Sequence, residues 1–141
     1  MGPSAVGARG VPPPPGPVAV ARVVLLTADL LFGSNVQGAL AAAGHEVQSV
    51  ADEGRLRERL SDEAQSGVDV LVVDLTDEDL QGSAVVEAVA EELGPTRTLG
   101  FYSHVDVAAR ERAEQAGFDL VVPRSRMARE GAEIVTRLAA G

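Results

Sequence analysis

Asp74 closes the strongest apolar run in the chain, Val68-Asp-Val-Leu-Val-Val-Asp74. A carboxylate delivered at the end of a buried strand can serve as nucleophile, general base or metal ligand. Other reactive side chains follow similar runs. Thr27, Ala28 and Asp29 come after Arg22-Val-Val-Leu-Leu, Ser103 and His104 after Thr98 to Tyr102, and Pro123 and Arg124 after Leu120 to Val122. Asp29, Asp74, His104 and Asp106 together offer carboxylate and imidazole groups of the kind that ligate a metal in a small hydrolase. Their spacing is not diagnostic, however: Asp29 and Asp106 are equally apt helix N-caps, and Ser103 beside His104 is adjacency in sequence, not a dyad. Arg124, Arg126 and Arg129 open the last helical segment, where positive charge opposes the helix dipole. An acid or an anion must answer them, and Asp74 or a partner's carboxylate would serve. The acidic run Thr76-Asp-Glu-Asp79 reads as a solvated loop.

Residue types that are missing exclude whole chemistries. All 12 basic residues are arginine, so a lysine-bearing phosphate loop, a Schiff-base lysine and a Ser-Lys dyad are ruled out. There is no cysteine, which removes disulfides, thiolate nucleophiles and cysteine zinc sites. A formal net charge of -9 opposes binding to a phosphate backbone. Gly33 and Gly38 lie inside a helical pattern and form no dinucleotide-binding turn. No apolar run approaches the roughly 20 residues of a membrane span, and the N-terminus lacks the basic and apolar regions of a signal peptide. A cytoplasmic, non-enzymatic protein bound to neither membrane nor nucleic acid is the expectation.

The elements that must position these residues are legible from periodicity. Residues 1–20 are rich in Pro, Gly and Ala, with Pro12 to Pro15 in succession, and read as a disordered tail before a single domain over 21–141. Arg22 to Thr27 reads as a buried strand; Phe32, Val36, Leu40 and Ala43 recur at helical spacing up to Gly44. His45 to Val50 gives a second strand, and Asp52 caps a helix carrying Leu56, Leu60 and Ala64 on one face up to Gly67. Val68 to Asp74 is the central strand. Val86, Val89, Ala90 and Leu93 form a third helix ended by Gly94-Pro95, and Thr98 to Tyr102 a fourth strand. Val107 to Ala116 is a helix stopped at Gly117, and Leu120 to Val122 a fifth strand. Met127, Ile134 and Leu138 mark the last helix. Five βα units with short connections demand parallel strands and right-handed crossovers: a doubly wound α/β domain. In such sheets ligands collect beyond the carboxyl ends of the strands, where the residues named first all lie.

Five βα units with Asp at the end of the third strand resemble the receiver domain of bacterial response regulators, like the chemotaxis regulator. Gly82, eight residues after Asp74, Ala116-Gly-Phe-Asp119 before the fifth strand, and Leu40-Ala-Ala-Ala-Gly-His-Glu-Val47 before the second all match that family's pattern. The resemblance implies a five-stranded parallel sheet in order 2-1-3-4-5, a flavodoxin-like arrangement. It also implies Asp74 as phosphoacceptor, an acidic pair after the first strand holding Mg²⁺, a sensing hydroxyl after the fourth, and a Lys after the fifth. Against that pattern the acidic pair is replaced by Thr27 and Ala28, with Asp29 one residue late as a weak Mg²⁺ ligand beside Asp74. The sensing position falls on Tyr102 or Ser103. Arg124 or Pro123 stands where Lys is needed, and Val122-Pro123 offers a turn like the family's often cis Lys-Pro pair. The expectation is therefore a degenerate, stand-alone receiver serving as a signalling or regulatory interaction module without efficient Mg²⁺-dependent aspartyl phosphorylation. It would need no cofactor unless Mg²⁺ is retained. Its partner would be a protein, a regulator or a kinase. It could also pair with a second copy through the face of the fourth helix, fifth strand and last helix. The alternatives are a phosphate-responsive receiver using Asp74 and a small metal-dependent hydrolase.

Overall fold

The computed structural model describes residues 20–62 and 67–141. The tail expected over residues 1–20 lies outside this range except for Val20, and so does Ala64. Within it, β1 (Arg22–Leu26) is followed by α1 (Leu30–Ala42), β2 (Glu46–Val50) and α2 (Glu53–Leu60). Next come β3 (Val70–Asp74), α3 (Gly82–Ala88), α4 (Ala90–Leu93) and β4 (Arg97–Tyr102). The chain closes with α5 (Val107–Ala116), β5 (Leu120–Pro123) and α6 (Arg124–Ala140). All strand pairs are parallel, in the order β2-β1-β3-β4-β5, which is the expected 2-1-3-4-5. No described helix is long and apolar enough to cross a membrane.

Alternation along the strands divides the core in two. Val23, Leu25, Val70, Val72, Leu99, Phe101 and Val122 face α1 and α6, which supply Val36, Leu40, Met127, Ile134 and Val135. On the other face Val24, Leu26, Leu71 and Val73 meet Leu56, Val85, Val86, Val89, Leu93, Ala113 and Phe118. Each such aliphatic side chain contributes about 1.5–3 kcal/mol when fully buried. β3 is buried at every position, as a central strand covered on both faces must be.

Sequence and structure differ in detail. Val68 and Asp69 precede β3, and the Asp69 carboxylate accepts the Arg22 amide at 2.7 Å. The third helix breaks at Val89 into α3 and α4. The last begins at Arg124 directly after β5. The Val122–Pro123 bond is trans, as are all described peptide bonds; Pro123 sets its turn by standing at the cap position before α6 with φ -63°.

His45 begins no strand. It is buried and ties three segments at the end of the sheet opposite Asp74. The Ala21 amide donates to Nδ1 at 3.1 Å, so that nitrogen carries no proton. The Thr136 hydroxyl donates to the Ala132 carbonyl at 2.8 Å, so it accepts from Nε2–H at 2.9 Å. Both partners thus select the neutral Nε2–H tautomer. Long-range ¹H–¹⁵N correlation spectra at neutral pH should show an unprotonated Nδ1; an Nδ1–H pattern would refute the assignment.

Gly100 lies in the middle of β4, where a Cβ would come 2.7 Å from Leu75 Cδ1 and 3.0 Å from the Phe118 ring. Gly100→Ala should therefore lower unfolding stability by about 1–3 kcal/mol through overpacking, read as a lower urea midpoint at unchanged m-value.

Candidate functional site

The carboxyl ends of β1, β3, β4 and β5 bring Thr27, Asp74, Tyr102 and Arg124 to one edge of the sheet. Thr27 extends the β1 ladder by donating its amide to the Val50 carbonyl at 3.0 Å. Gly33 lets α1 settle on it: a Cβ there would stand 3.0 Å from Thr27 Cγ2. On the other face, a Cβ at Gly82 would come 2.6 Å from Val73 Cγ1 and 3.1 Å from the Asp74 carbonyl oxygen. The glycine eight residues after Asp74 is thus required by the close approach of α3 to the end of β3.

Asp74 is 1% exposed, and its carboxylate is engaged on both oxygens. Oδ2 accepts the Thr27 hydroxyl at 2.7 Å. Oδ1 accepts the Thr76 amide at 2.8 Å and the Thr76 hydroxyl at 2.5 Å. Three of about four lone-pair sites are thereby used, and a charge that would be costly to bury alone is answered by three donors. Nothing in the pattern of the acidic loop distinguished Thr76. Its only signal was a hydroxyl two residues beyond a strand-terminal Asp, the spacing of an Asx turn.

Asp29 does two other things. Its Oδ1 caps α1 by accepting the Phe32 amide at 3.0 Å, and its Oδ2 accepts Arg124 Nη2 at 3.1 Å. Arg124 is answered by Asp29, not by Asp74. Its guanidinium also lies 4.1 Å over the Phe32 ring, and that ring packs at 5.0 Å against Phe101 in the core. With both ionic side chains about two-fifths exposed, the pair contributes on the order of 0.2–1 kcal/mol and the ring contact about 0.5–1 kcal/mol more. Arg126 and Arg129 approach Glu130 at 3.5 and 3.8 Å.

Tyr102 and Ser103 stand apart from the carboxylate. Tyr102 is buried and meets Arg110 on α5. The Arg110 guanidinium is held above its ordinary pKa first by a side-chain hydrogen bond to Tyr102 and then by the charge of Glu114. Ser103 is half-buried, and its carbonyl accepts the Asp106 amide at 2.8 Å. Asp106 caps α5 through the Ala109 amide at 3.0 Å, while His104 is exposed.

A Mg²⁺ ion of the kind receivers use needs several free oxygen donors beside the acceptor Asp. Here Thr27 Oγ1 gives its proton to Asp74 and accepts the Asp29 amide at 3.0 Å; Ala28 has no donor atom, and Asp29 is held by Arg124. This donor set does not fit the ion as arranged. Among the described residues, no three His, Asp or Glu side chains are grouped to hold a metal.

This geometry, a doubly wound sheet with a strand-terminal acid at its switch point, defines a class of fold; comparison with solved structures narrows it. The signal receiver domain of NarL from Mycobacterium tuberculosis aligns at 25% identity over 86% of this chain and 98% of its own, with a TM-score of 0.69. A response regulator from Thermotoga maritima gives 18% identity, coverage of 87% and 100%, and a TM-score of 0.71. The phosphorylated cyanobacterial phytochrome response regulator RcpA gives 18%, 85% and 91%, and 0.68. No family model and no curated protein matches the sequence. The chain has the receiver fold of response regulators.

Thr27 stabilises the domain through Asp74. Thr27→Val keeps the shape but leaves that carboxylate one donor short, which should lower stability by about 1–3 kcal/mol in urea unfolding. A change under about 0.5 kcal/mol, the ordinary scatter of surface substitutions, would show that the hydrogen bond is not needed.

Proposed function

We propose that this chain is a signalling or regulatory protein-interaction module on a receiver fold, in which Asp74 serves as a tie between β1 and β3 and not as an efficient phosphoacceptor. The observation that carries this reading is the engagement of both Asp74 carboxylate oxygens by Thr27 and Thr76 at 1% exposure. Attack on phosphorus requires a carboxylate oxygen that is exposed to the donor and in line with the leaving group. Both Asp74 oxygens are instead turned into hydroxyl and amide donors. The charge that builds on a transferring phosphoryl group must also be offset by cations. Here no lysine exists, and Arg124 is committed to Asp29 and Phe32.

What remains is a rigid scaffold whose effect passes through a protein partner, such as a kinase or a downstream regulator. Exposed Leu30 and Leu31 on α1, and Val105 and Val107 around the start of α5, supply the kind of apolar surface that protein partners use.

Incubation of the full chain with acetyl phosphate and Mg²⁺ tests the proposal by intact mass. The expected result is no added phosphoryl group, for the native chain and for Asp74→Asn alike. Stoichiometric addition to the native chain that Asp74→Asn abolishes would establish the competing reading, a phosphate-responsive receiver using Asp74.

A further inference from the structure

α1 contains no charged residue from Leu30 to Ala42, yet its outer surface faces water. Leu30 and Leu31 are 87% and 76% exposed, and Ser34, Asn35, Gly38, Ala41 and Ala42 are exposed behind them. A surface helix normally carries polar and charged residues opposite its buried stripe; here that surface has only the uncharged Ser34 and Asn35 among leucine, glycine and alanine. α6, its neighbour, behaves differently. Its outer ridge carries Arg129 and Glu133, both exposed and four residues apart on one face. Arg129 reaches Glu130 only at 3.8 Å, and Glu133 makes no ion pair among the described residues.

Two ties fix how these helices stand side by side. At one end Arg124 meets Asp29 and Phe32; at the other Thr136 meets His45. Halfway between the ties lie Gln37 on α1 and Glu130, next to Gly131, on α6. About that level the surface is complementary to itself. Arg129 and Glu133 lie symmetrically on either side of Gly131, and Leu31 and Ala42 on either side of the middle of α1. A two-fold axis crossing both helices there would run each helix antiparallel to its copy. It would set Arg129 against the copy's Glu133 and Glu133 against its Arg129. It would also seat each Leu31 in the shallow region left by Gly38 and Ala42 of the other molecule.

We infer that the α1–α6 face is an isologous interface and that its occupant is a second copy of this chain. Such pairing does not depend on whether Asp74 accepts phosphate. One dyad satisfies both the charges and the shape, as a closed two-fold contact requires. The face proposed shares α6 with the one implied by the receiver resemblance but turns to α1 in place of α5, whose outward positions Arg110, Glu111, Arg112 and Glu114 are charged and exposed. At about 20 Å for α1 and 25 Å for α6, the face stands at the small end of specific interfaces, so association should depend on concentration in the micromolar range.

Sedimentation analysis of the full chain from about 1 to 500 µM tests this. The expected result is a reversible monomer–dimer equilibrium. Leu31→Glu, at an exposed helical position that leaves the fold intact by circular dichroism, should yield monomer at every concentration. Arg129→Glu should weaken the dimer at least tenfold, and adding Glu133→Arg in the same chain should restore it, because the swap rebuilds both cross-axis pairs. Val107→Glu on α5 should leave the equilibrium unchanged. A native chain that is monomeric throughout overturns the inference. So does a dimer that survives Leu31→Glu, or a double swap that fails to recover what Arg129→Glu lost.

Discussion

The buried carboxylate of Asp74 is the constraint around which one end of this molecule is arranged. An ionised acid at 1% exposure is tolerable only where donors replace water, and the chain supplies them from two directions. Thr27 arrives from the neighbouring strand, and Thr76 from the turn that follows. Each donor carries a further requirement. Thr27 must sit deep enough for its hydroxyl also to receive the Asp29 amide, which brings in the first residue of the α1 cap. Such depth is open to it because α1 offers Gly33 at the point of contact. One buried charge thus settles the side chain at the end of β1, the start of α1 and a glycine inside it.

A second tie runs across the same edge. Without a lysine in the chain, the cation after β5 is Arg124, whose guanidinium stands 4.1 Å over the Phe32 ring while donating to Asp29. That contact resolves the conflict created by placing arginine at the start of α6. The unfavourable dipole interaction is offset by an acid that also caps α1, so one carboxylate serves two helix N-termini. Phe32 then passes the contact into the core through Phe101. Asp29, Arg124, Phe32 and Phe101 thus form one chain of contacts from the edge of the sheet into the core.

Fold and site were unequally legible in the sequence. Strand order, crossovers and the central position of β3 follow from a run of buried β-branched residues repeated at regular intervals, a property of the backbone that tolerates small errors of boundary. The caps at Asp52 and Asp106 were readable for the same reason, since a cap acts within three residues of itself. The site is different because its contacts are long in sequence: Thr27 to Asp74 spans 47 residues, Arg124 to Asp29 spans 95 and His45 to Thr136 spans 91. Periodicity says which edge a residue reaches but not which of several acids there it will meet. So the arginine at the start of α6 was assigned a carboxylate correctly in kind and wrongly in identity. His45 gave no signal at all, because a histidine opening an apolar run looks the same whether it ladders or locks.

These ties bear on why α1 can be so poorly charged and still be a well-formed surface helix. Its thirteen residues include two glycines and, at Val36, a β-branched residue, and none of these favours an isolated helix. Its stability must come from packing and from its ends. The Asp29 cap, reinforced by Arg124, fixes the first turn. Leu40 and Val36 anchor the inner face, and the His45 lock holds the chain just past the last turn. With both ends and the inner stripe secured by the domain itself, the outer face is not needed to stabilise or solubilise the helix by charge pairs. Its side chains are free to be selected for whatever lies against them.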